Sequence, residues 1–427
     1  MDVVDPQARL AAAVAEYLQS CLSWVAANGW TGWDPYDVWD TAIGRWALAS
    51  STFHRRAAST VISRLQEPFP IAMRRVLGAV PRVNAKAMGL FASAFLRLES
   101  LEGGPRRVDG EPGHLPCFRW LESNRVACGA GFGWGYPFDW QSRVLIPRNT
   151  PTAVTSAIIG DAYWLCYHLY GQTEALAVCE AVCRFFMSGL NRSAPASDRS
   201  FCFSYTPVDQ FQVHNANLFA AEFLVRVGQE TGRAEWVDTG LAAARFSLNQ
   251  IREDGTLAYW SNAQTGPSVQ QDTYHSGFEI RALHSIGTRT GLGEFRRAAE
   301  CYFSTWLADF FTPEGIPHFT RGGYDVIEVH SCAEALLCAA AMREAGVLSA
   351  PAFLRHADAV FHATARALWR DAGPGAGYFA WARRRRYGVT FITNIPLLRW
   401  GQAWMVAALT ATQAALQPDL PGSRTHQ

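Results

Sequence analysis

The sequence predicts an all-α fold in which helical hairpins repeat around a ring and form an α/α toroid. Polar residues that precede or open apolar helices recur about every 60 residues, at Thr150, His214, His275, His330 and Asn394. This period accommodates two helices with their loops, which is the length of a helical hairpin. Short Gly-containing turns followed by aromatic residues precede these positions, and small residues dominate the helices after them.

Hydrophobic periodicity defines the elements in chain order. In the N-terminal third, which is less regular, it predicts helices near 8–27, 38–50, 53–66 and 84–98. Region 99–149 is rich in Gly, Pro and aromatic residues, so we expect loops and short β-hairpins at the mouth of the toroid. The helices at the recurring polar positions form the inner ring, because small residues allow close packing. Their outer partners are predicted at 172–189, 233–250, 293–311 and 351–369.

The organisation predicted is a single toroid domain over 1–416, with six hairpins or seven, followed by a polar tail at 417–427. Neither a low-complexity linker nor a block of charge divides the chain. All the inner helices begin at one face of such a toroid. The recurring polar residues should therefore converge around a single funnel-shaped mouth.

Composition narrows the classes of function. The net charge of +1 gives no general attraction to nucleic acid or to anionic membranes. The N-terminal segment starts with acidic residues and does not resemble a signal peptide. We find no apolar run long enough to span a membrane. The ten cysteines form no CxxC pair, so we expect free, mostly buried thiols in a reducing compartment, that is, the cytoplasm.

Acid–base residues recur at the predicted mouth. His214, His275 and His330 occupy the same phase of three successive repeats, and imidazole transfers protons near neutral pH. Glu279 follows His275 by one helical turn, on the same face of the helix. The candidate catalytic residues are His275, His330, Glu279, His214, Asp139 and Tyr274. For each of them, a structural role as a helix cap or a core residue is the alternative.

Aromatic and charged residues in the loops suggest a sugar-binding surface, since aromatic rings stack on sugars and charged groups bind hydroxyls or carboxylates. The richest segment runs from Trp134 to Arg143, and a second lies at 32–37. The candidate substrate-binding residues are Arg143, Trp134, Tyr136, Trp140, Asp37, Trp260, Asn215 and Asn394. The run Arg383–Arg386 is interpreted as a solvated turn, with a role in attracting an anionic ligand as the alternative.

The repeated layout resembles the six-hairpin α/α-toroid carbohydrate enzymes, which include N-acylglucosamine 2-epimerases, glycosidases and polysaccharide lyases. More closely, the segments 33–37, 136–141 and 149–152 resemble bacterial proteins encoded with exopolysaccharide and capsule genes. The resemblance implies a carbohydrate-active enzyme. In the epimerases, His and Glu on inner helices act beside an Arg. His275, Glu279 and His330 occupy comparable places here, although the His-to-Glu spacing differs from the epimerase pattern.

Several alternatives for the chemistry remain open from the sequence. It could be glycosidic cleavage by two carboxylates, such as Asp139 with Glu279, or elimination or epimerisation by proton abstraction, with Arg143 or Asn394 stabilising the developing charge. A non-catalytic toroid that binds a glycan or a protein is the alternative, and a terpene-cyclase-like toroid enzyme is another. No His-x-x-x-His motif is present, so neither a metal nor another cofactor is predicted. The partner expected is a saccharide, and the oligomeric state is left open.

Overall fold

The protein is described here by a computed structural model. The residues that the structure describes are 5–49, 53–108, 110–193, 198–261, 264, 271–323, 326–386 and 388–417. Most of the predicted C-terminal tail, from 418 onward, lies outside them.

Two concentric rings of helices form the body of the molecule. The inner helices are α5 (Ala85–Glu102), α7 (Ala153–Tyr170), α9 (His214–Glu230), α11 (Thr273–Thr290), α13 (Val329–Glu344) and α15 (Ala403–Leu416). The outer helices are α1 (Pro6–Ala27), α6 (His114–Ser123), α8 (Thr173–Gly189), α10 (Ala234–Leu248), α12 (Gly293–Asp309) and α14 (Ala350–Leu368). Each inner helix contacts the next inner helix, and α15 contacts α5, so the inner ring closes. The predicted α/α toroid is confirmed, and the described residues form six hairpins.

Small and apolar residues explain which helices lie inside. Helix α13 is buried on nearly all sides, and its alanines, such as Ala335 and Ala339, allow neighbouring helices to approach closely. Helix α14 instead buries one stripe of apolar residues and exposes the other face, as expected of an outer helix. The hydrophobic core fills the space between the two rings. The predicted partner stretches at 172–189, 233–250, 293–311 and 351–369 coincide with outer helices.

The chain between α1 and α5 forms a small subdomain beside the toroid rather than a seventh hairpin. It contains a 3-10 turn (Asp37–Asp40), α2 (Ala42–Leu48), α3 (Phe53–Leu65) and α4 (Pro70–Leu77). Its apolar centre, formed by Val38, Ala47 and Ile62, is separate from the main core.

Short strands lie in the loops, as predicted. They are β1 (Arg107–Val108), β2 (Glu111–Pro112), β3 (Val126–Cys128), β4 (Gly131–Gly133), β5 (Trp140–Gln141), β6 (Leu145–Ile146), β7 (Val326–Glu328), β8 (Trp369–Gly373), β9 (Ala376–Phe379), β10 (Ala382–Arg386) and β11 (Val389–Thr393). Among the described residues these strands pair antiparallel, and the largest sheet has the order β11–β10–β7. Strand β7 leads directly into α13 and so belongs to the mouth.

One helix in the described part of the chain, α1, is long and apolar enough to cross a membrane by length and composition alone. Core helices satisfy the same criterion, and α1 packs against α15 and the hairpin β8–β9. All ten cysteines are free; eight are buried, Cys128 is half-buried and Cys301 is exposed.

Candidate active site

The first turns of the inner helices supply much of the chemistry at the mouth. Asn84 caps α5 and accepts a hydrogen bond from the backbone N–H of Lys86 at 3.0 Å. Glu328 caps α13 in the same way, through the N–H of His330 at 2.9 Å. Polar residues are preferred at such positions because they satisfy backbone donors that have no partner within the helix. Because successive inner helices begin at one end of the ring, their first-turn side chains converge.

Asp272 fixes the position of His275. Its Oδ1 accepts the backbone N–H of His275 at 2.8 Å, which caps α11, and its Oδ2 lies 2.6 Å from Nδ1 of the imidazole. In the neutral ring this contact retains the proton on Nδ1. Nε2 then carries the lone pair and has no partner among the described residues. An imidazole held in this way is oriented as a general base.

His330 is buried on the neighbouring inner helix among aromatic rings. Its ring stacks on Tyr274 at a centroid distance of 4.3 Å and on Trp404 at 4.9 Å. Neither ring nitrogen has a hydrogen-bond partner within the described residues. Burial, reinforced by the positive charges of Lys86 and Arg399, lowers the pKa of His330 well below its ordinary value. The ring is therefore neutral near pH 7, with one nitrogen able to donate and the other able to accept.

Lys86, the only lysine of the chain, is buried next to two phenols. Its Nζ donates to the hydroxyl of Tyr136 at 3.2 Å, and that hydroxyl lies 3.1 Å from the hydroxyl of Tyr205. Burial lowers the pKa of Lys86. Burial raises the pKa of Tyr136, but the charges of Lys86 and Arg399 outweigh that effect and bring it down to about 8. Tyr136 is therefore readily ionised.

Arg399 adds a second cation beside the same phenol. It forms a buried bidentate pair with Asp34, with Nε–Oδ2 at 2.7 Å and Nη2–Oδ1 at 2.9 Å. The guanidinium carbon lies 4.7 Å from the ring centre of Tyr136 and 5.0 Å from that of Trp400. The positive charge of Arg399 also lowers the pKa of His330.

Aromatic rings form a continuous wall from His330 outward. Trp400 contacts His330 at 5.0 Å, and Tyr36 contacts Trp400 at 6.5 Å and Trp140 at 6.0 Å between ring centres. Trp140 packs edge-on against Tyr205 at 5.4 Å. Tyr36, Trp140 and Trp400 are only partly buried. Such rings can stack on the apolar face of a sugar.

The sequence predicted His275, His330, Tyr274, Tyr136 and Trp140 at the mouth. In the structure, His275 and His330 contact Tyr274, Tyr136 contacts Trp140, and Trp400 and Tyr36 connect the two groups. Two sequence features predicted these residues. One is the recurring position at the start of an inner helix, and the other is the aromatic loop that precedes such a helix.

Trp260 and Arg143 lie farther out on the same side. The guanidinium of Arg143 is 4.3 Å from the ring centre of Trp260. Trp260 contacts Tyr259, whose ring lies 4.5 Å from the ring of His275. These two predicted binding residues therefore contact each other near the mouth.

Two residues predicted to be catalytic instead point toward the outer ring of helices. The imidazole of His214 contacts the hydroxyl of Ser247 on the outer helix α10 at 3.0 Å, and burial lowers its pKa to about 4. Glu279 accepts a hydrogen bond from Tyr302 on the outer helix α12 at 3.0 Å, and burial raises its pKa well above the ordinary value. These contacts correct the expectation that both point into the mouth.

Two predicted binding residues also need correction. Trp134 is a core residue whose indole N–H donates to the carbonyl of Leu121 at 2.8 Å, so it is not a wall of the mouth. The carboxylate of Asp37 is paired with Arg74 at 2.8 Å within the small subdomain. In both residues the polar group is bonded to a partner inside the protein and is not directed at the mouth.

The remaining predicted residues lie in different settings. Asp139 Oδ1 accepts the backbone N–H of Arg148 at 2.9 Å, in the segment leading to β5. The exposed Asn394 accepts a hydrogen bond from Tyr378 at 3.1 Å. Asn215 is buried on α9, and its Oδ1 has no partner among the described residues. Asn394 was expected to open the last inner helix. The structure corrects this, because a π-helical turn (Leu398–Gln402) lies between Asn394 and α15.

Lys86 and Arg399 were missed by sequence reasoning. The spacing of the repeats predicted Asn394 at the start of the last inner helix. In the structure Arg399 lies there instead, in the turn before α15. For Lys86 a signal was present, since a sole lysine within the apolar stretch 85–96 is unusual in a chain that otherwise uses arginine. The described residues contain no cluster of three His, Cys, Asp or Glu side chains suited to holding a metal ion.

Solved structures with the same architecture include carbohydrate-active enzymes. The chain is similar to cellobiose 2-epimerase from Bacillus thermoamylovorans, with a TM-score of 0.57, 11% identity, and coverage of 77% of this chain and 87% of that chain. It is similar to a GH76 α-mannanase from Bacteroides thetaiotaomicron, with a TM-score of 0.56, 12% identity and coverage of 77% and 85%.

A third similar structure is an unsaturated glucuronyl hydrolase specific for heparin, with a TM-score of 0.53, 11% identity and coverage of 78% and 88%. The sequence matches no family model and no curated protein. At these identities the likeness concerns the fold, because one fold hosts many chemistries. The chain therefore has the α/α-toroid fold that this epimerase, this mannanase and this hydrolase share.

Proposed function

We propose that this protein is a carbohydrate-active enzyme that transfers protons at a carbon atom of a saccharide, giving epimerisation or elimination. The observation that carries the proposal is a pair of imidazoles that both contact the ring of Tyr274. The ring of His275 lies 4.2 Å from that of Tyr274, and the ring of His330 lies 4.3 Å from it. Within the described part of the chain, both imidazoles have ring nitrogens without a protein partner.

In the proposed reaction, Nε2 of His275 removes a proton from the carbon next to a carbonyl or carboxylate group of the sugar. The electron pair of the C–H bond moves onto the oxygen of that group. Lys86 and Arg399 supply positive charge for this oxygen, and such preorganised stabilisation is commonly a large catalytic contribution. In an epimerisation, the electron pair returns to the carbon, and His330 delivers a proton to the opposite face while taking one from water, so that its ring stays neutral. In an elimination, the pair forms the C=C bond, the bond to the β-oxygen breaks, and that oxygen takes the proton from His275.

The roles of the carboxylates near the mouth favour a proton-transfer reaction over hydrolysis, which would use two of them as acid and base or nucleophile. Asp34 is held by Arg399, and Asp272 holds His275. Glu328 accepts the backbone N–H of His330 and the indole N–H of Trp400, the latter at 2.7 Å. All three carboxylates are thus committed to positioning other groups, whereas hydrolysis requires a pair that flanks the glycosidic bond.

The setting of the reaction is part of the proposal. The resemblance of segments 33–37 and 136–141 to proteins encoded with exopolysaccharide genes supports a role in bacterial polysaccharide metabolism. Ten unpaired cysteines suit a reducing compartment, which supports a cytoplasmic location.

The test is exchange of carbon-bound hydrogen. The enzyme is incubated in heavy water with reducing disaccharides and with uronate-containing oligosaccharides, and deuterium in the sugar is followed by mass spectrometry and NMR. We expect deuterium on the carbon next to the carbonyl if the reaction is an epimerisation, and an unsaturated uronate product if it is an elimination. Replacing His275 or His330 by Ala should lower the rate by about 100-fold.

The exposed His362, on the outer helix α14, provides the matched control. His362→Ala should leave the rate unchanged. Glycosidic cleavage that gives neither carbon-bound deuterium nor an unsaturated uronate would contradict the proposal and favour hydrolysis. Saccharide binding without turnover would favour a non-catalytic toroid.

A further inference from the structure

Apolar side chains cluster on the outside of the small subdomain, where nothing in the described structure covers them. The large exposed ones between α2 and α5 are Ile43, Trp46, Leu48, Phe53, Val61, Leu65, Phe69, Val76 and Val80. Phe53 is 80% exposed and Val76 is 76% exposed. Contiguous apolar surface of this kind usually marks an interaction site.

The exposed apolar residues follow helical periodicity, so they form stripes. In α3, Phe53, Val61 and Leu65 are spaced by multiples of four, and among its described residues only Ile62 is buried. Phe69 and Val76 are spaced by seven at α4. An outer helix of the toroid turns its large apolar residues toward the core, whereas these helices bury only a small apolar centre and leave most of their large apolar residues exposed to solvent.

Positive charge accompanies these stripes. The segment 42–77 contains six arginines and one acidic residue, Glu67. Arg56, Arg64 and Arg75 are exposed, and Arg55 lies over the ring of Trp46 at 5.5 Å. Amphipathic helices that combine exposed aromatic residues with many arginines are typical of segments that lie in a membrane interface.

The hairpin β10–β11 extends the same surface. Arg384 forms an ion pair with Glu67 at 3.7 Å, which joins the hairpin to the subdomain. Arg383 and Arg385 are exposed on one strand, and Val389 is exposed on the other. The segment 382–393 contains four arginines and no acidic residue. We call α2–α4 together with β10–β11 the collar.

The collar is attached to the mouth. Arg74 of α4 donates to the backbone carbonyl of Asp34 at 2.9 Å, and Asp34 binds Arg399. On the other side, β10 pairs with β7, which leads into α13 and His330. A surface to which the collar bound would therefore lie close to the candidate active site.

We propose that the collar docks the protein on an anionic lipid bilayer, with the apolar stripes among the headgroups and the arginines at the level of the lipid phosphates. Charge complementarity supports this occupant, because the collar carries more positive charge than the whole chain, whose net charge is +1. A second copy of the collar would bring like charges together. This proposal does not depend on the reaction assigned to the mouth.

The experiment is flotation of the full-length protein with vesicles of phosphatidylcholine alone or of phosphatidylcholine with phosphatidylglycerol. We expect binding to the anionic vesicles, weak binding to the neutral ones, and loss of binding at high salt. The triple variant Arg56→Glu, Arg64→Glu and Arg75→Glu should lower partitioning by at least about tenfold. The double variant Phe53→Ser and Val76→Ser should lower it comparably.

The matched controls are Arg355→Glu on the exposed face of α14, for charge, and Leu169→Ser near the end of α7, for apolar surface. Both should bind as the wild type does, and thermal melts verify that all variants are folded. Absence of binding to anionic vesicles overturns the proposal, and so does binding that the collar variants do not change. Concentration-dependent dimerisation without vesicle binding would overturn it as well and identify the collar as an interface between copies.

Discussion

The ammonium group of Lys86 lies 3.2 Å from the phenol oxygen of Tyr136, and both side chains are buried. Arg399 packs over the same ring and is neutralised by Asp34. Within the described residues, Lys86 has no carboxylate in ion-pair contact. The base of the mouth therefore keeps an uncompensated positive charge, and a buried charge of this kind costs stability unless a ligand or an ionised phenol balances it.

We expect Lys86→Met to separate stability from activity. Removing a buried charge should raise the free energy of unfolding, by about 1 kcal/mol or more, while turnover falls because the developing oxyanion loses its cation. The pKa of Tyr136 should rise above about 8, since Lys86 no longer favours the phenolate. Denaturant melts and ultraviolet titration of the phenols measure these effects. Tyr136→Phe is the control, in which the early phenol titration disappears; a destabilised Lys86→Met variant would contradict this account.

Asp272→Asn should lower kcat by about 100-fold with little change in KM. Asparagine still caps the helix, so the melting temperature should change little. It does not supply the carboxylate oxygen that accepts from Nδ1 and orients the ring of His275. Steady-state kinetics and thermal melts distinguish these effects. Wild-type turnover in this variant would show that the imidazole does not act as a base.

Glu279→Gln should retain turnover within about threefold, because the residue faces Tyr302 and burial, which raises its pKa, favours the neutral carboxyl group. Glutamine has nearly the same shape and preserves the contact. The companion variant Tyr302→Phe leaves Glu279 without this donor and should destabilise the protein by about 1 kcal/mol. A 100-fold loss of turnover in Glu279→Gln would instead assign the carboxylate to catalysis.

Glu328 should make stability depend on pH. Burial raises its pKa to about 7 in the folded protein, against an ordinary value of 4.5. The folded state therefore binds this proton more tightly than the unfolded chain. The resulting contribution to stability is complete below about pH 4.5 and is lost as the pH rises through about 7.

The free energy of unfolding is measured from pH 4.5 to 8 for the wild type and for Glu328→Gln, which cannot titrate at this position. The advantage of the wild type over the variant should decrease as the pH rises through that range. A constant difference would mean that Glu328 does not titrate there. Burial lowers the pKa of His214, which acts in the opposite direction, and the comparison of the two proteins cancels its effect.

The repeat at His214, His275 and His330 was sufficient to predict the toroid and the end at which its inner helices begin. Periodicity and small residues are local properties of the chain, so they predict which helices are inner and which are outer. The pattern could not predict how far each side chain is rotated about its helix. For that reason His275 and Glu279 have different surroundings although they are one helical turn apart. His275 contacts Asp272 at the mouth, whereas Glu279 contacts Tyr302 on the outer helix α12.

By itself, the sequence determined the helical hairpins, the toroid that they form, and the aromatic and histidine content of the mouth. Only the tertiary structure decided that Lys86 and Arg399 meet at Tyr136, and that Asp34 reaches Arg399 from the other end of the chain. These contacts arise because closing the ring brings α15 beside α5. Pairing of side chains so far apart in the chain depends on packing rather than on any local pattern.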